Sequence, residues 1–182
     1  IKKCIFLLII IVNLISPMKE KNKRILFITL FIVIAAIMRL IPHPPNFVPI
    51  TAIAIFAGVK FRNIKLAYAI PITIMLISDL FIGFYSISLF VYLAFILITT
   101  YSYMFKKYSI KNILLSSIMF FVVTNFGVWL IGGYPKNIEG LILCYTMAIP
   151  FFTNSLIADL FFSAILYYGF DKIEKCYLIF EI

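Results

Sequence analysis

The chain has 182 residues, of which 64% are hydrophobic and 13% are charged, and its mean hydropathy is +1.13. Globular proteins average about 25% charged residues, and a soluble domain of this size exposes too much surface to hide so much apolar area. The composition therefore excludes a soluble fold, a disordered chain and a coiled coil. The net charge of +9 does not indicate nucleic-acid binding, because the basic residues form short clusters between apolar runs.

The first 17 residues hold an apolar run that is too short to cross a bilayer comfortably. The run also lacks the small-x-small cleavage site of a signal peptide. We expect residues 1–17 to be an upstream extension, with the working protein beginning at Met18; a real additional hydrophobic segment is the alternative. Residues 18–182 are then predicted to form one six-helix membrane domain.

Six continuous apolar runs predict an all-α polytopic membrane protein, because a membrane barrel would show alternating residues instead. The second run is short enough to begin inside a re-entrant loop, and the sixth is long enough to tilt or to break at Pro150. The predicted spans cover residues 25–41, 48–61, 66–84, 88–105, 113–131 and 141–168.

The basic residues predict the orientation of these spans. Twelve Lys and Arg residues flank the spans on one side, whereas the other side has only Arg39 and Lys136. Since loops on the cytoplasmic side of a membrane carry the excess of Lys and Arg, we expect both termini to be cytoplasmic. The loops at 42–47, 85–87 and 132–140 should face outward.

The first outward loop contains four prolines in eight residues, from Pro42 to Pro49, which forbids a regular helix there. Non-helical backbone at membrane depth is tolerated only against protein or a water-filled cavity. His43, Asn46 and Phe47 lie in or beside this stiff segment. The loop is therefore either a rigid external turn or the wall of a binding pocket.

Two aspartates, Asp79 and Asp159, fall within apolar sequence, where a carboxylate is costly and usually faces a cavity or a partner. Asp79 lies near the outer end of its span, as does Arg39, so an ion pair between them is one structural explanation. Asp159 lies deeper and is a candidate proton carrier. An interhelical hydrogen bond is the structural alternative for each.

Asn125 and Trp129 are four residues apart and share a helical face. Trp129, the only tryptophan, is either a ligand contact or an anchor at the membrane interface. Asn154 follows Pro150, which frees a backbone carbonyl group, a common feature of transporter sites. All three are candidate binding residues.

Small residues in the first two spans predict close helix packing. The pairs are Ala35 with Ala36, and Ala54 with Gly58. They either pack helices within the chain or dock a second membrane subunit.

Enzymatic chemistry has no support in the sequence, which lacks the Gly-x-Ser-x-Gly, His-Glu-x-x-His and Gly-rich phosphate motifs. One His and three scattered Cys residues do not make a metal site. We expect no catalytic residues, no metal and no cofactor.

The segments RLIPHPPNFVPITAIAIFAGVKF (39–61), SDLFIGF (78–84), TNFGVW (124–129) and YTMAIPFFTNSLIADLF (145–161) resemble an uncharacterised bacterial integral-membrane family. That family is similar to the substrate-binding S components of energy-coupling factor transporters. The resemblance implies six helices and a small-molecule site near the outer face. It also implies docking to a transmembrane coupling subunit that carries ATPases. The usual docking signature, Ala-x-x-x-Ala in the first span, is absent.

We therefore predict a bacterial inner-membrane subunit that captures a small, vitamin-like metabolite from the outer side. The predicted binding residues are His43, Asn46, Phe47, Asp79, Asn125, Trp129 and Asn154. Trp129 and Phe47 would stack on the ligand, and Asp79 would bind a cationic or donor group. A self-sufficient secondary transporter or channel, with Asp159 as proton carrier, and a membrane assembly protein without a ligand are the alternatives.

Overall fold

A computed structural model describes the backbone of residues 32–177 and the side chains of residues 32–169. This part of the chain consists of helices joined by loops and contains no strands, which confirms the all-α prediction. The helices are α1 (32–40), α2 (Ile50–Lys60), α3 (Ile64–Ile82), α4 (Ser88–Phe105), α5 (Ile110–Ile131) and α6 (Ile138–Tyr177). The predictions for residues 1–31 lie outside the described residues.

Within the described residues, four helices are long and apolar enough to cross a membrane, as expected of a membrane protein: α3, α4, α5 and the Ile138–Gly169 part of α6. The bounds of α4 match the predicted fourth span, and those of α3 and α5 differ from the predictions by two or three residues at most. The helix does not break at Pro150: α6 continues through this residue as one helix of 40 residues.

Helix α2 is short and occupies the centre of the fold. Its 11 residues rise about 16 Å, against about 30 Å for the hydrocarbon core of a bilayer. Every residue from Ile50 to Gly58 is buried, and α2 contacts α3, α4, α5 and α6. Its sequence, ITAIAIFAG, is apolar or small on every side, which is the pattern of a helix surrounded by protein.

The contact between α2 and α4 depends on a glycine. A Cβ atom placed on Gly58 would lie 2.7 Å from the Thr99 carbonyl oxygen and 2.9 Å from the Tyr103 backbone nitrogen. The two backbones approach too closely there for any side chain, as small residues allow in membrane helices. Lys106 then joins the ends of the two helices, since its Nζ donates to the carbonyl oxygens of Gly58 (2.9 Å) and Phe61 (2.6 Å).

The loops meet at two opposite ends of the bundle. At one end, the segment 61–63 contacts the end of α4, as the hydrogen bond from Tyr103 Oη to the Arg62 carbonyl oxygen shows. Tyr108, in the α4–α5 loop, reaches the Ser163 carbonyl oxygen of α6 at the same end. We call this the basic end, because Lys60, Arg62, Lys65, Lys106, Lys107 and Lys111 lie in or beside its loops. The loops at 41–49, 83–87 and 132–137 belong to the other end.

We predict that Gly58→Ala destabilises the folded protein, because its new Cβ atom meets the backbone of α4. Overpacking of this kind costs about 1–3 kcal/mol. The matched control is Gly133→Ala, where an added Cβ atom meets nothing within 4 Å. Thermal unfolding in detergent should show a lower midpoint for Gly58→Ala than for Gly133→Ala. Equal midpoints would contradict the close α2–α4 contact.

Candidate functional site

A pocket of about 500 Å³ opens between α4, α5 and α6, at the end opposite the basic loops. Residues 45 and 46 of the proline-rich loop form part of its wall. Five aromatic side chains form a large part of the rest: Phe120, Phe121, Tyr134, Phe151 and Phe152. Ligand pockets typically have volumes of about 300–1,000 Å³, with apolar walls and a few polar groups. The pocket has the size and wall composition of a small-molecule site.

Four polar side chains line the pocket: Asn46, Thr124, Asn125 and Ser155. Asn125 donates its Nδ2 to the Phe121 carbonyl oxygen (2.8 Å) one turn earlier in α5, so its Oδ1 can accept from a ligand. Thr124 Oγ1 donates to the Phe120 carbonyl oxygen (2.7 Å). The pocket therefore offers mainly hydrogen-bond acceptors on the α5 side.

Asn46 reaches the pocket through an unusual backbone conformation. Its φ of 62° lies in the left-handed region, which asparagine tolerates better than most residues. The turn is closed by a hydrogen bond from the Phe47 amide to the Pro44 carbonyl oxygen (3.0 Å). It places Pro45 and Asn46 at the pocket, while Phe47 turns away from it.

The structure brings together only two of the seven predicted binding residues, Asn46 and Asn125. The ring of Phe47 packs on Phe161 and Phe162 of α6, with centroids 6.4 Å and 5.6 Å away. His43 is exposed, with Nδ1 2.9 Å from the Pro44 carbonyl oxygen. Asn154 is half-buried outside the pocket lining.

Trp129 also lies outside the lining and instead contacts the loop between α5 and α6. Its Nε1 donates to the Pro135 carbonyl oxygen (2.9 Å). Lys136 Nζ lies 5.8 Å from the centre of the indole ring and donates to the carbonyl oxygens of Trp129 and Gly132. These contacts order the loop from which Tyr134 enters the pocket.

Asp79 forms an ion pair and does not line the pocket. Its Oδ1 lies 2.5 Å from Arg39 Nη1, and its Oδ2 accepts from Tyr92 Oη at 2.8 Å. Arg39 Nη1 also donates to Ser78 Oγ. The carboxyl side chain is 1% exposed, so the pair satisfies a buried charge and joins α1, α3 and α4. These contacts support the structural explanation of Asp79 given from the sequence, an ion pair with Arg39.

Asp159 is the second buried carboxyl group, and it has no basic partner among the residues that the structure describes. Its Oδ2 lies 2.6 Å from Ser117 Oγ of α5, while its Oδ1 has no hydrogen-bond partner. Ser155, which lines the pocket, is one helical turn away on the same face of α6. Asp159 therefore lies directly beneath the pocket.

The four predicted docking residues, Ala35, Ala36, Ala54 and Gly58, are buried within the chain. The three alanines belong to the main hydrophobic core, and Gly58 faces α4. Their placement favours packing of helices within the chain over docking of another subunit.

The sequence analysis missed most of the pocket wall. The phenylalanines gave no signal, because 20 of them are spread along the chain and lipid-facing ones have the same neighbours in sequence. Cys144 lines the pocket and its Sγ lies 3.6 Å from the Asn125 carbonyl oxygen. The i, i+4 spacing of Ser155, Asp159 and Ser163 was the one pattern that could have shown a polar face on α6.

Comparison with known proteins identifies a family. Residues 19–179 match the sequence model described as "Family of unknown function (DUF6580)". No curated protein and no solved structure matches the chain.

The ion pair leads to a prediction about stability. Arg39→Met should cost about 3–5 kcal/mol, because it leaves the buried Asp79 carboxylate without its cation. Adding Asp79→Asn to Arg39→Met removes that charge and should recover a large part of the loss. Unfolding of the single and double variants in detergent measures both effects. If the two substitutions simply add, the buried pair is not the stabilising contact.

Proposed function

We propose that this chain, which belongs to the family of unknown function DUF6580, binds a small neutral molecule with an aromatic or similarly flat ring. The observation that carries the proposal is the pocket between α4, α5 and α6. Five aromatic side chains line it, and none of its lining residues carries a charge. A charged ligand would lose hydration there without gaining a counter-charge.

The polar groups of the pocket suggest how such a ligand is oriented. Asn125 Oδ1 would accept from a donor on the ligand, and the amide of Asn46 can both donate and accept. The rings of Phe121 and Phe152, whose centroids are 4.7 Å apart, would contact its flat face. Asp79 and Trp129 have no part in this site, because their hydrogen bonds join other elements of the protein.

We further propose that the pocket faces the outside of a bacterial inner membrane. The support is the distribution of charge. The loops around the pocket carry Lys136 and His43, with Arg39 paired to Asp79, while the basic residues collect at the opposite end. By the excess of Lys and Arg on cytoplasmic loops, the basic end and both termini are cytoplasmic, and α1 and α2 complete six passes.

A pocket of this kind in a membrane protein fits a role in uptake. In one form the chain is a substrate-binding subunit, similar to the S components of energy-coupling factor transporters, that works with a coupling subunit and ATPases. In the other it is a transporter that needs no partner. The burial of Ala35, Ala36, Ala54 and Gly58 weakens the first form, and the unpaired Asp159 beneath the pocket favours the second.

We predict that Asn125→Leu removes a bound ligand, because leucine replaces the acceptor of the pocket with an apolar group. Native mass spectrometry of protein made in a rich medium and extracted gently should show a small molecule on the unsubstituted chain. The matched control is Asn154→Leu, the same change at a half-buried position of α6 outside the lining. This control should retain the molecule.

The loss of an asparagine hydrogen bond costs about 1–3 kcal/mol, so the affinity for the ligand should fall roughly 5- to 150-fold in Asn125→Leu, and its occupancy should fall with it. Equal occupancy in the two variants would place the ligand elsewhere. If the unsubstituted chain carries no molecule but a stoichiometric membrane protein, the assembly role replaces the binding role.

A further inference from the structure

We propose that Asp159 is a proton-binding site in the contact between α5 and α6 that separates the pocket from the basic end. We call this contact, formed by Asp159, Ser117 and Ser163, the seal, and we propose that it opens when Asp159 loses its proton. The geometry of Asp159, Ser117 and Ser163 carries this proposal. That a ligand passes through the opened seal rests on the proposed function, but proton binding by Asp159 does not.

The hydrogen bonds around Ser117 indicate the protonated form of Asp159. Ser117 Oγ lies 3.0 Å from the Ile113 carbonyl oxygen and 2.6 Å from Asp159 Oδ2. A hydroxyl group has one proton to donate, and a carbonyl oxygen can only accept. If Ser117 donates to Ile113, then Asp159 Oδ2 must carry a proton and donate it to Ser117. The neutral acid satisfies both contacts at once, whereas the carboxylate satisfies only one of them.

The surroundings of Asp159 also favour a neutral group. The side chain is 1% exposed, and Oδ1 has no hydrogen-bond partner. The Thr51 hydroxyl of α2 lies beside the carboxyl group and is the one neighbour besides Ser117 that would favour a carboxylate. The other nearby residues, Ala158 and Phe162, are apolar. An ion without a counter-charge is very costly in such a site.

No charged group on the helices packed around Asp159 faces it within the part of the chain that the structure describes. Arg39 of α1 is paired with Asp79. Lys60 is the last residue of α2, Lys111 lies in the first turn of α5, and Glu139 lies in the first turn of α6.

Tyr108 is the titratable side chain that contacts this face of α6 from the basic end. Its Oη donates to the Ser163 carbonyl oxygen (2.6 Å), one turn from Asp159. Burial raises the pKa of Tyr108 to about 12. Tyr108 therefore stays neutral where a carboxyl group titrates, and a pH response at this seal belongs to Asp159.

The position of these residues explains why proton loss would open a path. Ser155, Asp159 and Ser163 follow one another at intervals of four residues along one face of α6. Ser155 lines the pocket, and the Ser163 carbonyl oxygen binds the loop at the basic end. Asp159 and Ser117 join α6 to α5 between these two points. A carboxylate at this position needs water, and water can reach it only if the contact between α5 and α6 parts.

Two buried aspartates in one chain allow an internally controlled test of protonation. Dicyclohexylcarbodiimide modifies protonated carboxyl groups in apolar surroundings and leaves ionised ones unmodified. Peptide mapping after treatment near neutral pH should find the adduct on Asp159 and none on Asp79, whose carboxyl group forms an ion pair with Arg39. Labelling should fall about tenfold with each pH unit once Asp159 ionises. No adduct on Asp159, or equal labelling of both aspartates, would overturn the proposal.

The opening of the seal needs a second measurement. A Ser163→Cys reporter, with the native cysteines replaced by serine, is labelled by a maleimide added at the basic end of oriented vesicles. The rate should rise several-fold more with pH than it does when Asp159→Asn is added, because the amide keeps the hydrogen bond to Ser117 but cannot ionise. Identical pH curves in the two backgrounds would refute a proton-controlled seal.

The pocket variant separates this proposal from the proposed function. Asn125→Leu, which should abolish ligand binding, should leave the carbodiimide labelling of Asp159 and the pH curve of the reporter unchanged. If both persist while no ligand is ever found, the proton site stands and the binding role fails. If ligand binds but Asp159 is not labelled, the binding role stands and the proton site fails.

Discussion

The burial of α2 is the constraint on which the rest of the structure depends. An 11-residue helix is too short to cross the hydrocarbon core alone, and the proline-rich segment before it cannot extend it as a regular helix. Non-helical backbone at that depth is stable only when it is surrounded by protein or lines a cavity. The end of the proline-rich segment meets this condition, because Pro45 and Asn46 border the pocket and α2, which follows, is enclosed by four helices. The short helix and the pocket are thus two results of one packing arrangement.

Most of the helices could be predicted from sequence, because a long apolar run in a bilayer must satisfy its own backbone hydrogen bonds and does so as a helix. The bounds of α4 follow from this argument. The pairing of Arg39 with Asp79 could be predicted for another reason, because both residues lie near the same end of their helices. Pro150 shows its limit. In water a proline inside a helix usually ends or kinks it, but a membrane helix has no solvent to hydrogen-bond a broken turn, so α6 continues through Pro150.

The pocket was harder to predict than the helices for a physical reason. In a soluble protein, polarity separates the surface from the core, so a sequence shows which face of a helix is buried. In a bilayer both the lipid-facing and the pocket-facing sides are apolar. Phe126, which is 44% exposed, and Phe121, which lines the pocket, cannot be told apart by their neighbours. Only the polar Asn46 and Asn125 stood out, and they are the predicted residues that the pocket contains.

The two buried aspartates show how context decides the role of one residue type. Asp79 pairs with the Arg39 cation and accepts a hydrogen bond from the Tyr92 hydroxyl group, so its charge is compensated within the fold and it joins neighbouring helices. Asp159 has the hydroxyl groups of Ser117 and Thr51 beside it, one oxygen without a hydrogen-bond partner, and no basic partner among the described residues. A chain that needed only structural contacts could use a serine at that position, as it does one turn away on either side, at Ser155 and Ser163. The cost of placing an ionisable group one helical turn from a pocket is what favours the proposed proton-controlled seal over a simple packing contact.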